Sequence, residues 1–411
     1  MSEATALTEH EAAAAAPYPD RAFDAIEQSL RESGPASAIA ELVHQLDNEG
    51  EYRPLLDALL LQARHELGLP LIQAEGVAEM PEAVRARYEE KYVDAIRLVG
   101  GKLLARGDIA GAWPYFRAIG ESQPIRDAIE AYVPAQDDER LSSIIEVAFN
   151  QGVHPRKGFT LILSQYGTCS AITAFEHLPG EEPVRDACAE MLVRKLHEDL
   201  TANLRADIAQ RGQPLPAEGA SIPDLIAGRD WLFADEAYHI DVSHLSSTVR
   251  VSPLMTRPEG LALAVELTEY GRRLSPRNRY EGDPPFEDVY VDHGIYLRAL
   301  LGQDVDAAVT HFLAKIAPAT PPDGDLEEDQ NAGADNTLIA QVLVGLLSRL
   351  GRLDQAIALA AEHLAGIPQS ALFCPGVAQL CQRAGAHERL ARIAREQGDL
   401  VNFTAAILQN P

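Results

Sequence analysis

TLIAQVLVGLLSRLGRLDQAIALAAEHLAGIPQS, residues 337–370, decides the fold. Apolar residues recur at helical spacing on both sides of Gly351, with Leu353, Ala356 and Ala360 continuing the pattern behind it and Pro368 closing it. A glycine between two amphipathic runs is a chain reversal between two helices, because only glycine enters the left-handed region freely. Gly385 repeats the arrangement 34 residues after Gly351. Gly100, Gly107, Ala112, Phe116 and Pro124 repeat it far upstream. A helix–turn–helix unit at such a period buries its apolar face only by stacking on its neighbours.

Residues 93–126 resemble one tetratricopeptide unit. Gly100 stands where the first helix carries its small residue, Gly107 at the turn, Ala112 and Phe116 at the packing positions of the second helix, and Pro124 at the terminal proline. Residues 337–370 resemble a second unit through Gly351, Ala356 and Pro368, and residues 371–404 a third through Gly385 and Leu390. The aromatic residues usual in the first helix of that family are absent at Ile96 and Leu103. The resemblance spans about a quarter of the chain. It implies an all-α fold, a tetratricopeptide-like α-solenoid of antiparallel helix pairs, whose concave surface binds a peptide or protein.

Composition agrees with helices. Of the 411 residues 46% are hydrophobic and only 6% aromatic, so Ala and Leu supply much of the core, and both are strong helix formers. The formal charge of −27 opposes nucleic acid and anionic membrane as partners, since phosphate repulsion would have to be overcome locally. The acidity suits a solvated surface, with an acidic groove for a basic peptide as the alternative. Cys169, Cys188, Cys374 and Cys381 form no Cys-x-x-Cys pair and no disulfide framework, in keeping with a cytoplasmic protein. The opening MSEATALTEHEAAAAAPYPD lacks a basic n-region, and no apolar run approaches the ~20 residues that span a bilayer.

Along the chain, residues 1–20 read as a disordered acidic tail and 21–210 as an N-terminal helical-repeat array. Residues 211–317 read as an irregular helical region. Residues 318–336, with three prolines, two glycines and six acidic residues, read as a mobile linker, and 337–411 as a detachable C-terminal helical module. Within 184–208 a single long amphipathic helix is expected. Asp283-Pro284-Pro285-Phe286 is expected to open the helix containing Val289 and Tyr290.

Candidate chemistry gathers between 229 and 300. His239-x-Asp241-x-x-His244, with Asp292-His293 further on, offers enough nitrogen and oxygen ligands for a divalent Zn²⁺ or Fe²⁺ with one open position. On a helix, however, a gap of five turns the two imidazoles about 140° apart, so a turn would be needed to join His239, Asp241, His244 and His293. The other reading makes these histidines hydrogen-bonded structural residues. Arg272, Arg273, Arg277 and Arg279 form either an anion site or ion pairs with nearby carboxylates. Trp231, Tyr238, Arg250, Arg272, Arg273 and Tyr290 are the candidate ligand-binding residues, because aromatic side chains line pockets and guanidinium groups hold anions. No Gly-x-Ser-x-Gly elbow, phosphate loop, dinucleotide fingerprint or His-Glu-x-x-His occurs, which disfavours triad and nucleotide-driven chemistry. The function expected is therefore that of an interaction scaffold without cofactor, with homo-oligomers as one form of association. The alternative is an enzyme or ligand-binding protein whose pocket, metal-dependent or not, lies within 229–300.

Overall fold

The structure is a computed structural model that describes residues 18–72, 81–316 and 326–409. It is 73% helix with no strand among the described residues, so the all-α reading holds. Two compact units divide the chain: Met1–Ile162 with Leu178–Gly180, and Leu163–His177 with Glu181–Pro411.

The first unit runs through α1 (Asp20–Ser33), α2 (Pro35–Glu49), α3 (Tyr52–Glu66), α4 (Glu82–Ala105), α5 (Ile109–Ala118), α6 (Gln123–Ala131) and α7 (Leu141–Ile145), the last continued by a π turn at Glu146–Asn150. Each helix from α1 to α5 packs on the next. Leu46, Leu55, Ala58 and Val99 form a buried cluster between α2, α3 and α4. α8 (Pro155–Glu176) breaks its helical backbone at Gly167.

In the second unit the central element is α9 (Glu182–Gln210). The others are α10 (Ile222–Ile226), α11 (Val242–Val251), α12 (Pro258–Gly271), α13 (Val289–Leu300), α14 (Val305–Leu313), α15 (Leu326–Arg349), α16 (Leu353–His363), α17 (Val377–Ala384), α18 (His387–Gln397) and α19 (Leu400–Gln409). From α12 to α19 consecutive helices again pack pairwise. The turn glycines do what the sequence asked of them. Gly351 (φ 71°) joins α15 to α16 and Gly385 (φ 65°) joins α17 to α18, both in the left-handed region.

Several expected boundaries fall elsewhere. The tail read over residues 1–20 lies outside the described residues up to 17, and Asp20 already opens α1. The division read between 210 and 211 falls inside the second unit: Arg205 donates to the carbonyls of Pro216 and Ala217 (both 3.2 Å), and Arg229 to that of Pro214 (3.3 Å), so guanidinium groups tie the chain after α9 to that unit. Of the linker 318–336, residues 318–325 lie outside the described residues, while 326–336 are the first turns of α15. Nor is 337–411 set apart. Tyr296 and Phe312, from α13 and α14, share one core with Leu343, Leu347, Ile357 and Leu380. Low hydrophobicity between two helices marks a surface crossing and does not by itself interrupt a core.

The pairing of α4 with α5 rests on one close approach. A Cβ on Gly100 would stand 2.7 Å from the Phe116 ring, which is itself buried, whereas a Cβ on Gly101 would meet nothing within 4 Å. Two adjacent glycines of one helix thus face opposite constraints. Gly101→Ala should stabilise the chain by up to about 1 kcal/mol through helix propensity. Gly100→Ala should destabilise it by about 1–3 kcal/mol through overpacking. Urea unfolding of the two variants checks this, and equal effects would contradict the packing.

Candidate functional site

The apolar stripe of α9 positions most of the candidate residues. Cys188, Leu192, Leu196, Leu200, Leu204 and Ile208, four apart along the helix, are buried in a stripe that winds about 40° per step around α9, and α10, α11 and α12 pack on this helix. The polar residues flanking that stripe reach the covering elements. Asp186 accepts from the Thr256 amide (3.2 Å), Glu190 pairs with Arg194 (2.6 Å) and Arg257 (3.6 Å), and His197 meets Glu266 (2.9 Å). Asn203 donates to the carbonyl of His239 (2.8 Å), and Asp207 meets the His239 imidazole (3.2 Å).

His239 is the most heavily bonded of the candidates. Its backbone N–H donates to the Tyr270 hydroxyl (2.8 Å), and its Nδ1 lies 3.1 Å from the same oxygen. The tautomer protonated on Nε2 satisfies the whole set: Nε2 donates to Asp207, Nδ1 accepts from Tyr270, and the Tyr270 oxygen accepts from the backbone. Burial pushes the Tyr270 phenol up, against the small opposing effect of the His239 amide. Burial also acts to raise Asp207, but hydrogen bonds from Arg211 and His239 outweigh it and hold the carboxyl below its ordinary value.

The other metal candidates lie apart. Asp241 is the N-cap of α11, its carboxylate accepting from the amides of Ser243 (2.8 Å) and His244 (3.1 Å). The Ser243 hydroxyl and these amides lower its pKa. His244 sits in the first turn, half-buried. His293 is buried on α13, with Nδ1 donating to the Val289 carbonyl (2.7 Å) and its ring stacked on Phe286 at 4.2 Å. Among the described residues no three or more His, Cys, Asp or Glu side chains are grouped so as to hold a metal ion. Val242 and Ser243, where a turn would have been needed to join the ligands, are the first two residues of α11.

The arginine cluster is engaged within the chain. Arg272 pairs with Glu269 (3.3 Å), Arg273 with Asp230, and Arg277 with Glu236 (3.3 Å). Arg279 donates to the carbonyls of Leu274 (2.9 Å) and Arg272 (2.5 Å). Arg250 donates to the Glu281 carbonyl (2.7 Å). Arg211 covers the Trp231 ring at 4.8 Å and Arg273 the Phe233 ring at 5.1 Å. Tyr290 is buried against Gly271, and its hydroxyl has no hydrogen-bond partner among the described residues. Of the candidate binding aromatics Tyr238 is the exposed one, at 56%. The prolines at 284 and 285 precede α13 instead of opening it: Asp288 caps that helix by accepting from the amides of Tyr290 (3.2 Å) and Val291 (3.0 Å).

One polar cluster escaped the sequence reading. Asp292, buried, meets His311 Nε2 (2.7 Å) through one oxygen, and through the other accepts from Lys315 Nζ (2.8 Å) and the Asp288 amide (2.9 Å). Lys315 also pairs with Glu287. A carboxylate, an imidazole and an amine side by side could serve acid–base chemistry, but nucleophilic catalysis by lysine needs a depressed pKa. Here burial acts to lower Lys315, and bonds from Asp292 and Glu287 outweigh it and raise the value. The signal available beforehand was His311 and Lys315 four apart, on one helical face.

Compared with known proteins, no family model and no curated relative matches the chain.

The buried His293 carries a pH dependence. Burial, seconded by Arg250, pushes its pKa from 6.5 down to about 4, against the Val289 carbonyl and Asp292, which act to raise it. Above about pH 6.5 neither state is protonated there and the fold loses nothing. As pH falls from about 6.5 to about 4 the unfolded chain takes up a proton that the fold refuses, and stability declines by an amount on the order of 3 kcal/mol. Urea midpoints across this range should fall less in His293→Asn than in the natural chain; parallel slopes would contradict the assignment.

Proposed function

We propose that the chain is a tetratricopeptide-like interaction scaffold of the cytoplasm that binds another protein and catalyses no reaction of its own. The observation that carries this reading is the outer face of α19. Leu400, Val401, Ile407 and Leu408 follow one another at helical spacing with Thr404 between them, and Leu400, Val401 and Leu408 are 77%, 79% and 74% exposed. The opposite side of the helix is already used: Ala406 is buried and Arg395 of α18 covers the Phe403 ring at 4.9 Å. An apolar stripe left uncovered in an array of helix pairs stands where the next helix would pack, and an amphipathic helix of a partner meets the same need.

The chain's charge of −27 supports a protein partner over nucleic acid or anionic lipid. No helix is long and apolar enough to cross a membrane among the described residues. In the alternative, a pocket within 229–300, His239, Arg272, Arg273 and Arg277 would have to release their present partners before meeting a ligand.

A photo-crosslinking amino acid placed at Val401 in cells, with Glu396 as the exposed polar control, tests the proposal. The expected result is a discrete adduct with one other protein from position 401, none from 396, and at least a severalfold loss on Leu408→Asp. Equal labelling from both positions, no adduct, or an adduct with a second copy of this chain would contradict it.

A further inference from the structure

The first unit contains a groove that the protein-binding proposal does not use. It lies between α2, α3 and α4 and measures about 470 Å³, within the range of small-molecule sites. Leu42, Leu46, Ala58, Leu61 and Tyr88 give it an apolar lining. Arg64, in the last turn of α3, lines the same groove and is only 7% exposed.

The hydrogen bonding of that guanidinium is incomplete. Nε donates to the Pro70 carbonyl (2.6 Å), which holds the chain as it leaves α3. Nη1 is buried with no hydrogen-bond partner among the described residues. Glu66, two residues on, is engaged by Lys91 and Gln62. The other acid on the groove, Asp57, stands seven residues earlier on the same helix, a rise of about 10 Å. Burial raises the Asp57 pKa, and its opposing charge is Arg53. A buried cation without a counter-ion among the described residues is among the costliest arrangements in a protein interior.

We propose that this groove binds a small monocarboxylate with an unbranched apolar body, its carboxylate paired with Arg64 and its body lying along α3 on Leu42, Leu46 and Leu61. A carboxylate supplies what a guanidinium accepts best, a planar pair of oxygens. The apolar walls favour a ligand with one charge over a phosphate dianion, whose second charge would be desolvated without compensation. The body spans the interval between Arg64 and Asp57.

Titration calorimetry on the full chain with octanoate, octanol and acetate tests this. Octanoate should bind once per chain, at least about tenfold more tightly than octanol, and acetate weakly or not at all, because body and charge are both required. Octanoate should raise the melting temperature of the natural chain and leave that of Arg64→Met unchanged. Arg64→Met should keep octanol binding and lose the preference for the acid. The three ligands on the natural chain decide the matter even where the variant does not fold. Equal affinity for octanoate and octanol would overturn the proposal. So would octanoate binding that survives Arg64→Met, several weak sites in place of one, or no binding up to millimolar concentration. None of these outcomes bears on the α19 stripe, so the two proposals fail separately.

Discussion

Burial of the apolar stripe that winds along α9 is the constraint on which the second unit depends. Over 29 residues the helix places leucine, isoleucine, valine, alanine and cysteine at spacings of three and four, and α10, α11 and α12 lie across them. Full burial of each large side chain is worth about 1.5–3 kcal/mol, so this stripe outweighs any single polar contact in the unit. It cannot settle how the covering elements are oriented, because apolar contact is non-directional. Orientation comes from the polar residues along its flank: Asp186, His197, Asn203 and Asp207 each bond to one specific partner across the interface.

This arrangement explains why residues 229–300 look like a chemical site in the sequence. Histidine, aspartate, tyrosine and arginine are the residues of catalysis, and they are also the ones that secure irregular chain between helices. The short 3₁₀ turn at Asp230–Glu236 and the brief α10 leave more backbone to be bonded by side chains than a long helix does. Asn278 donates to the Glu236 carbonyl (2.8 Å), and Arg279 takes up two carbonyls that follow α12. The chain's acidic excess provides carboxylates for the arginines, as Glu269, Asp230 and Glu236 do.

What was legible in the sequence was local. Gly351 and Gly385 announced their turns, Gly100 and Phe116 their contact, and the run from Val184 to Ile208 its single helix, because each signal lies within a few residues or one hairpin. What was not legible was long-range. The role of His239 depends on Asp207 and Tyr270, each about thirty residues away and on different helices, and no spacing rule links them. The reach of the core from Phe312 to Leu343 passes over a segment whose composition reads as a break. Arg64 gave no sign at all: that its Nη1 has no partner among the described residues is something only packing reveals.

The claim that His239 anchors the middle region to α9 through Asp207 is tested most directly by a double-mutant cycle. Asp207→Ala, His239→Ala and the double variant would be compared in urea unfolding of the full chain. The account predicts that the two substitutions couple by about 1 kcal/mol or more, the second costing little once the first is made. Additive effects, within about 0.5 kcal/mol, would mean that the pair contributes nothing across the interface and would return His239 to the list of groups available for chemistry.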